Sequence, residues 1–432
     1  MELSSVYLIL YVLAWFVLIS MQIKRVGSIG PATMVMVSYF FFGIIAIVYY
    51  KTDFIHSFSD SELSLVPFIY LFVMLYLALA PGIYYERADV KLVQKPNIHI
   101  VDTFIIIYCI CSIVRLPEIL PNISNGITMI LLESQGGAEL YAAKLNSIMR
   151  VSGNSFSVIS IVHNIFEESV VFLVFYYLSL SERKRFYVIL ILLVVLIDML
   201  NSLSKGERNY VMLFSFMLAV GYFMFHGFME NKIRKVVKRI AIIFFVLLLV
   251  PFVAITVSRF GDSRNTTAMG SMIAYAGKAP INFNKYVYNT NDIRYGDRTA
   301  NLFKKMLGYD VPANHEEGQI LYSHLKIDDS TFYTFVGDFV MDFGVVGAAV
   351  LFVTLTLFLL FVVRIKGHIM GLHQLFVIYF VVTICAQGGM YMFSFTYSGN
   401  WKIIGAIFFY FILLYDFNAT PKNERKYIIR TF

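Results

Sequence analysis

An all-α polytopic integral membrane protein is the fold class this sequence predicts, and three observations predict it. Of 432 residues, 59% are hydrophobic and only 15% charged, against roughly 25% charged in a soluble domain. The apolar residues come in blocks of about 17–25, the length of a membrane-spanning helix. Basic residues recur in alternate short loops, the signature that marks cytoplasmic loops. The mean hydropathy of +0.71 agrees.

The blocks give eleven spans in order, at about 5–23, 33–50, 63–84, 98–114, 156–180, 186–203, 209–228, 240–258, 337–363, 371–392 and 401–416. The first is too long for a signal-peptide core and no small-residue cleavage site follows it, so it reads as a retained span. Lys24 and Arg25, then Arg87, Lys91 and Lys95, then Arg183, Lys184 and Arg185 fall on one side. So do the run Lys232, Arg234, Lys235, Lys238 and Arg239, the pair Arg364 and Lys366, and the terminal Lys422, Arg425, Lys426 and Arg430. The opposite short loops hold only Lys51, Lys205, Arg208 and Lys402. The C-terminus is therefore expected in the cytoplasm and the N-terminus outside.

A net charge of +7 is explained by this loop asymmetry and asks for no nucleic-acid partner. Cys109, Cys111 and Cys385 lie inside apolar blocks, where thiols pack as small hydrophobes rather than forming disulfides or a metal site.

The predicted organisation has eight spans over 1–258 with an outer loop at 115–155 and a surface helix near 127–148. A large extracytoplasmic loop over 259–336 follows, then spans nine to eleven over 337–416 and a cytoplasmic tail over 417–432. The large loop carries nine Lys/Arg against eight Asp/Glu, so it is no polyanion trap. Gly277, Pro280, Gly296, Gly308 and Pro312 break it into two or three short helices. No internal repeat is visible, which removes a common transporter signal.

Ionisable groups inside spans are costly and face a cavity or a partner. His163 and Glu167 are four residues apart in span five and share a face; Asn164 and Glu168 accompany them. Asp198 and Asn201 sit at the outer end of span six, and Asp338 and Asp342 at the start of span nine. A structural polar lock is the plainer account of these groups, and a direct chemical role the alternative.

The outer hairpin Lys205-Gly-Glu-Arg208 sets two cations at the start of a helix, a natural oxyanion site. The alternative is an ordinary turn with snorkelling cations. Arg259 and Arg264 follow span eight in Arg259-Phe-Gly-Asp-Ser-Arg264, as interfacial anchors or as ligands. Arg294 and Arg298 flank Tyr295-Gly-Asp297 in the same way. His315 and His324 are the two histidines of the large loop, available to relay a proton. Their spacing fits no metal pattern, so no metal and no cofactor is expected. No Walker A motif, nucleophile elbow or nucleotide-binding glycine fingerprint is present.

Lys205-Gly-Glu-Arg208, Arg259, the segment Ile273-Ala-Tyr-Ala-Gly-Lys-Ala-Pro-Ile-Asn-Phe-Asn284 and the segment 331–347 containing Asp342-Phe-Gly-Val-Val-Gly347 resemble the oligosaccharide repeat-unit polymerases of the Wzy, O-antigen or capsule type. The likeness in motifs runs over about 200–347, and the order of parts carries more of it than any one motif. The resemblance implies a C-type membrane glycosyltransferase (GT-C) related to the O-antigen ligases, in a bacterial cytoplasmic membrane. Such enzymes transfer a growing glycan from one undecaprenyl-pyrophosphate carrier to a repeat unit on another, with a flippase and a chain-length regulator as expected partners beside membrane lipid. His315 or His324, Arg208 and Arg259 would then act in catalysis. Lys205, Arg264, Arg298, Tyr275, His163, Glu167 and Asp342 would bind substrate, with Tyr275, Phe283, Tyr286 and Tyr288 open to sugar stacking or to helix packing. A flippase or exporter is the alternative from another class, and a transferase using a polyprenyl-phosphate sugar the alternative enzyme.

Overall fold

The computed structural model describes residues 3–51, 62–132, 136, 139–140, 158–180, 185–205, 209–260, 268–290, 293–312, 315–325, 327, 332–365, 367–390 and 397–430. Among them, nine helices are long and apolar enough to cross a membrane: Leu3–Val26, Pro31–Lys51, Leu65–Arg87, Ile98–Pro117, Ile161–Leu178, Arg185–Leu203, Val211–Phe228, Thr334–Val362 and Gly399–Ala419. The protein is a polytopic all-α membrane protein. Helices also occupy the two other expected spans, Asn231–Phe260 and the shorter Leu372–Gly388.

The chain forms two compact units. The first comprises Met1–Arg87, Arg264–Val362 and Val381–Trp401, and the second Ala88–Ser263, Val363–Phe380 and Lys402–Phe432.

In the first unit, α1 (Leu3–Val26), α2 (Pro31–Lys51) and α3 (Leu65–Arg87) pack around Trp15. Its fully buried indole lies 4.9 Å from the Tyr39 ring and 4.6 Å from Phe72. Glu86 ties the ends of the three helices together, accepting from Thr33 N at 2.8 Å, Thr33 Oγ1 at 2.7 Å and Gln22 Nε2 at 2.8 Å. A carboxylate set against the first turn of α2 satisfies an amide that has no intrahelical acceptor and complements the helix dipole.

The large loop contributes helices to this unit. One of them, Ala268–Asn282, continues as a π-turn over Phe283–Val287. It lies against α2 so closely that a Cβ on Gly277 would meet Ile45 O at 2.8 Å. Breaks are expected from sequence at Gly277 and Pro280, yet the helix runs through both because it is packed, with Ala279, Ile281, Phe283 and Val287 fully buried. Among its described residues the loop also forms the helices Asn301–Met306 and His315–Leu321.

The helix Thr334–Val362 differs from the single span expected over 337–363, because it breaks at Gly344 (φ 70°, ψ 172°). That conformation is essentially glycine-only. The break leaves carbonyls without helical donors. Arg294 N and Tyr295 N fill this need, donating to Met341 O at 3.0 Å and Asp342 O at 2.9 Å, and Tyr70 Oη donates to Val345 O at 2.7 Å.

In the second unit, the helix Ile98–Leu132 continues through Pro117 and Pro121 beyond the expected end at 114. It absorbs the start of the surface helix expected near 127–148, most of which lies outside the described residues. It packs with Val158–Leu178 and Arg185–Leu203. Asn231–Phe260 begins in the basic run rather than after it. A three-stranded sheet pairs Leu92–Gln94 in parallel with Ile369–Gly371 and antiparallel with Tyr427–Ile429. The stretch expected as a cytoplasmic tail is therefore paired in part. Val93, Met370 and Ile428 are buried beneath it, and strands of three residues are too short to show a period in sequence.

Candidate functional site

Each unit holds a cluster of buried polar groups that includes residues singled out from sequence. In the first, the turn 293–300 is fastened to the opening segment of Thr334–Val362. Asp342, fully buried, accepts from Thr299 N at 2.6 Å, Thr299 Oγ1 at 2.7 Å and Arg298 N at 3.1 Å. Four residues earlier, on the same helical face, Asp338 accepts from Arg298 Nε at 2.5 Å. Asn400, also fully buried, donates to Thr299 O at 2.8 Å and accepts from Leu302 N at 3.1 Å.

Around this anchor, the Arg294 guanidinium lies 4.4 Å above the Tyr322 ring. Tyr322 Oη donates to Asp297, which also takes Lys304 Nζ. Burial pushes the Tyr322 phenol above its ordinary range, and its bond to the Asp297 carboxylate pushes the same way. The arrangement is a braced turn: two carboxylates on one helix and one amide hold Arg298 and Thr299 of a short loop that carries two arginines and a tyrosine.

In the second unit, four helices converge on an intramembrane charge network. Asp198 meets Arg115 Nη1 at 3.4 Å on one side and His163 Nε2 at 3.1 Å on the other. The His163 ring is 2% exposed and stacks on Tyr108 at 4.6 Å. One turn along, Lys402 Nζ lies 3.0 Å from Glu167 and 3.6 Å from Glu168. A buried charge is retained only when paired. Here three carboxylates share two fixed cations and one histidine, and the pairing draws on residues far apart in sequence.

The candidates from sequence fall as follows. Arg298 and Asp342 are joined through the Arg298 backbone, and Asp338 joins them through the side chain. His163 and Glu167 belong to the charge network. Tyr275 packs edge-on against Phe332 at 4.9 Å, and Lys278 lies 4.9 Å over the same ring. Phe283 is fully buried against Tyr70, so its ring is not open to a sugar.

Lys205 closes the turn after Arg185–Leu203, its N–H donating to Ser202 O at 3.1 Å. Arg259 stands near the end of Asn231–Phe260 and His315 opens His315–Leu321; their side chains lie outside the described residues. Arg208 and Arg264 lie outside them altogether. His324 is exposed.

Sequence reasoning missed Arg115 and Lys402, because each stands at the edge of an expected span and reads as an interfacial anchor. It also missed Asn400 and Thr299, neutral residues with no charge pattern to flag them. Among the described residues, no group of three or more His, Cys, Asp or Glu is placed to hold a metal ion. No family model, no curated protein and no solved structure matches this chain.

Proposed function

We propose that this chain is an oligosaccharide repeat-unit polymerase: an eleven-span, C-type glycosyltransferase that joins undecaprenyl-pyrophosphate-linked units at the outer face of a bacterial cytoplasmic membrane. One observation carries the reading. The motif behind the resemblance, Asp342-Phe-Gly-Val-Val-Gly347, is also the part that fastens the polar insert. Asp342 takes the N–H groups of the turn 293–300, and Gly344 breaks the helix so that its freed carbonyls take two more. A membrane protein that spends buried carboxylates on holding a loop rich in Arg and Tyr has built a polar working surface, which an exporter of small outer loops does not need.

The reaction asks for little beyond such a surface. The donor already carries its leaving group, a lipid pyrophosphate. As the C1–O bond breaks, the electron pair goes to the pyrophosphate oxygen, and the acceptor hydroxyl forms the new bond to C1 and gives up its proton. Arginine guanidinia suit the growing pyrophosphate charge, and Arg208, Arg259, Arg264 and Lys205 are assigned that task. His315 is assigned the proton. Arg298 and Asp342 hold the turn, and Tyr275, His163 and Glu167 support from within their units.

The test compares carrier-linked glycans from cells expressing the wild type or Arg208→Ala at matched levels. Loss of one such donor costs about 100- to 1,000-fold in rate, so long polymer disappears and single repeat units accumulate on the outer leaflet. Units that stay on the inner leaflet favour the exporter instead. Unchanged polymer leaves Arg208 as a turn cation.

A further inference from the structure

Among the described residues, three that are not glycine have positive φ: Asp89 (44°), Tyr295 (50°) and Thr334 (68°). Asp tolerates this region, and Asp89 is an exposed turn residue paired with Arg430. Thr334 is 2% exposed at the start of its helix, where packing holds it. Tyr295 fits neither account. A bulky side chain with positive φ is a genuine outlier, and this one is 75% exposed, so no burial of its ring offsets the strain.

The surroundings over-determine the conformation. Tyr295 N donates to Asp342 O at 2.9 Å, and Arg294 N to Met341 O at 3.0 Å. Gly296 follows with φ 87°. Arg298 and Thr299 are held by Asp338 and Asp342. Arg294 and Thr299 are buried, at 4% and 6% exposed, and Ile293 is 38% exposed, while the tyrosine ring stands out furthest. Backbone strain of this kind persists where a site needs a group in a fixed place.

We propose that Tyr295 is a ligand platform, an aromatic face presented to the apolar face of a sugar ring in the glycan. It takes the role that sequence gave to Tyr275, whose ring is engaged with Phe332. The inference rests on the polymerase reading for the identity of its glycan and on the turn's geometry for everything else. A rigid aromatic with two side-chain torsions gives contact area at low entropic cost, and a turn braced by buried carboxylates keeps it in position.

The experiment uses the full chain in detergent and in proteoliposomes, with Tyr295→Gly, Tyr295→Phe and Tyr295→Trp. Two readouts are taken: binding of the repeat-unit oligosaccharide released from the host's own carrier by mild acid, and KM and kcat for polymerisation of the intact lipid-linked unit. Glycine suits the backbone, so Tyr295→Gly keeps or raises the melting temperature. It weakens glycan binding and raises KM about five- to tenfold, the size of one lost aromatic contact, while Phe and Trp retain both. A lower melting temperature in Tyr295→Gly would show that the ring serves the fold and would overturn the proposal. Unchanged binding and KM in that variant would overturn it too, and would leave the polymerase reading standing. A ring that matters only for retention in vesicles, with binding in detergent unchanged, makes it a membrane anchor and again overturns it. A wild type that binds the glycan through Tyr295 but forms no polymer sinks the polymerase reading alone.

Discussion

In the first unit, the buried carboxylates of Asp338 and Asp342 face one guanidinium and the N–H and O–H groups of a single short turn. In the second, Asp198, Glu167 and Glu168 face the charged ends of Arg115 and Lys402 and a histidine, brought from four helices. The first arrangement is local, since Asp342 and the turn it holds are about 44 residues apart and fixed by backbone groups that cannot wander. The second is a lock between helices, and each member depends on a partner with a long side chain. Carboxylates held by the groups of one turn position a loop, whereas those held by cations from other helices hold helices together. The two therefore fail in different ways when a member is removed.

The largest effect is expected in the first unit. Asp342→Ala leaves Thr299 N, Thr299 Oγ1 and Arg298 N without their acceptor, at about 1–3 kcal/mol for each buried group. The loss should localise, so limited proteolysis over 293–325 rises sharply while the helices stay protected. Uniform protection in that variant would break the distinction between a loop fastener and a helix lock.

Next comes the lock itself. Lys402→Met strands two buried carboxylates and costs about 3–5 kcal/mol, seen as a lower melting temperature in detergent. Adding Glu167→Gln and Glu168→Gln should recover most of it, because an uncharged cluster of similar shape needs no ion pair. Failure of the triple variant to recover would mean that the charges do more than hold helices.

A smaller effect follows from the helix break. Gly344→Ala forces a side chain into φ 70°, ψ 172° and costs about 1–3 kcal/mol. If instead the helix straightens and the cost vanishes, protection of Met341 and Asp342 carbonyls by the turn is lost, and exchange of the Arg294 and Tyr295 amides reports it.

The smallest concerns Tyr322. Its folded pKa lies above the unfolded value, which is about 10. Above that pH the unfolded chain loses a proton that the folded one keeps, so stability is full below about pH 10 and falls as pH rises beyond it. Tyr322→Phe costs about 1 kcal/mol or less at neutral pH and flattens the alkaline limb of a pH–stability profile. An unchanged limb would assign the bond to Asp297 no part in holding the turn.

Much of this molecule was legible in advance. Apolar block length and composition determined the fold class, since a bilayer-crossing helix must satisfy its own backbone and be apolar throughout. The isolated ionisable residues His163, Glu167, Asp198, Asp338 and Asp342 could be singled out for the same reason, because charge inside such a block needs a partner. The partners themselves could not. Arg115 and Lys402 sit at block edges, where cations are common, and only the packing of four helices shows which carboxylates they meet. Periodicity also carries no trace of the break at Gly344, because a glycine in an apolar run is compatible with a straight helix, and the tertiary fold decides whether its φ is spent. The same holds for Tyr295 and Tyr275. Composition treats the two tyrosines alike, but the contact with Phe332 engages one ring, and the carbonyls freed at Gly344 hold the other out to solvent in a conformation that no local preference would choose.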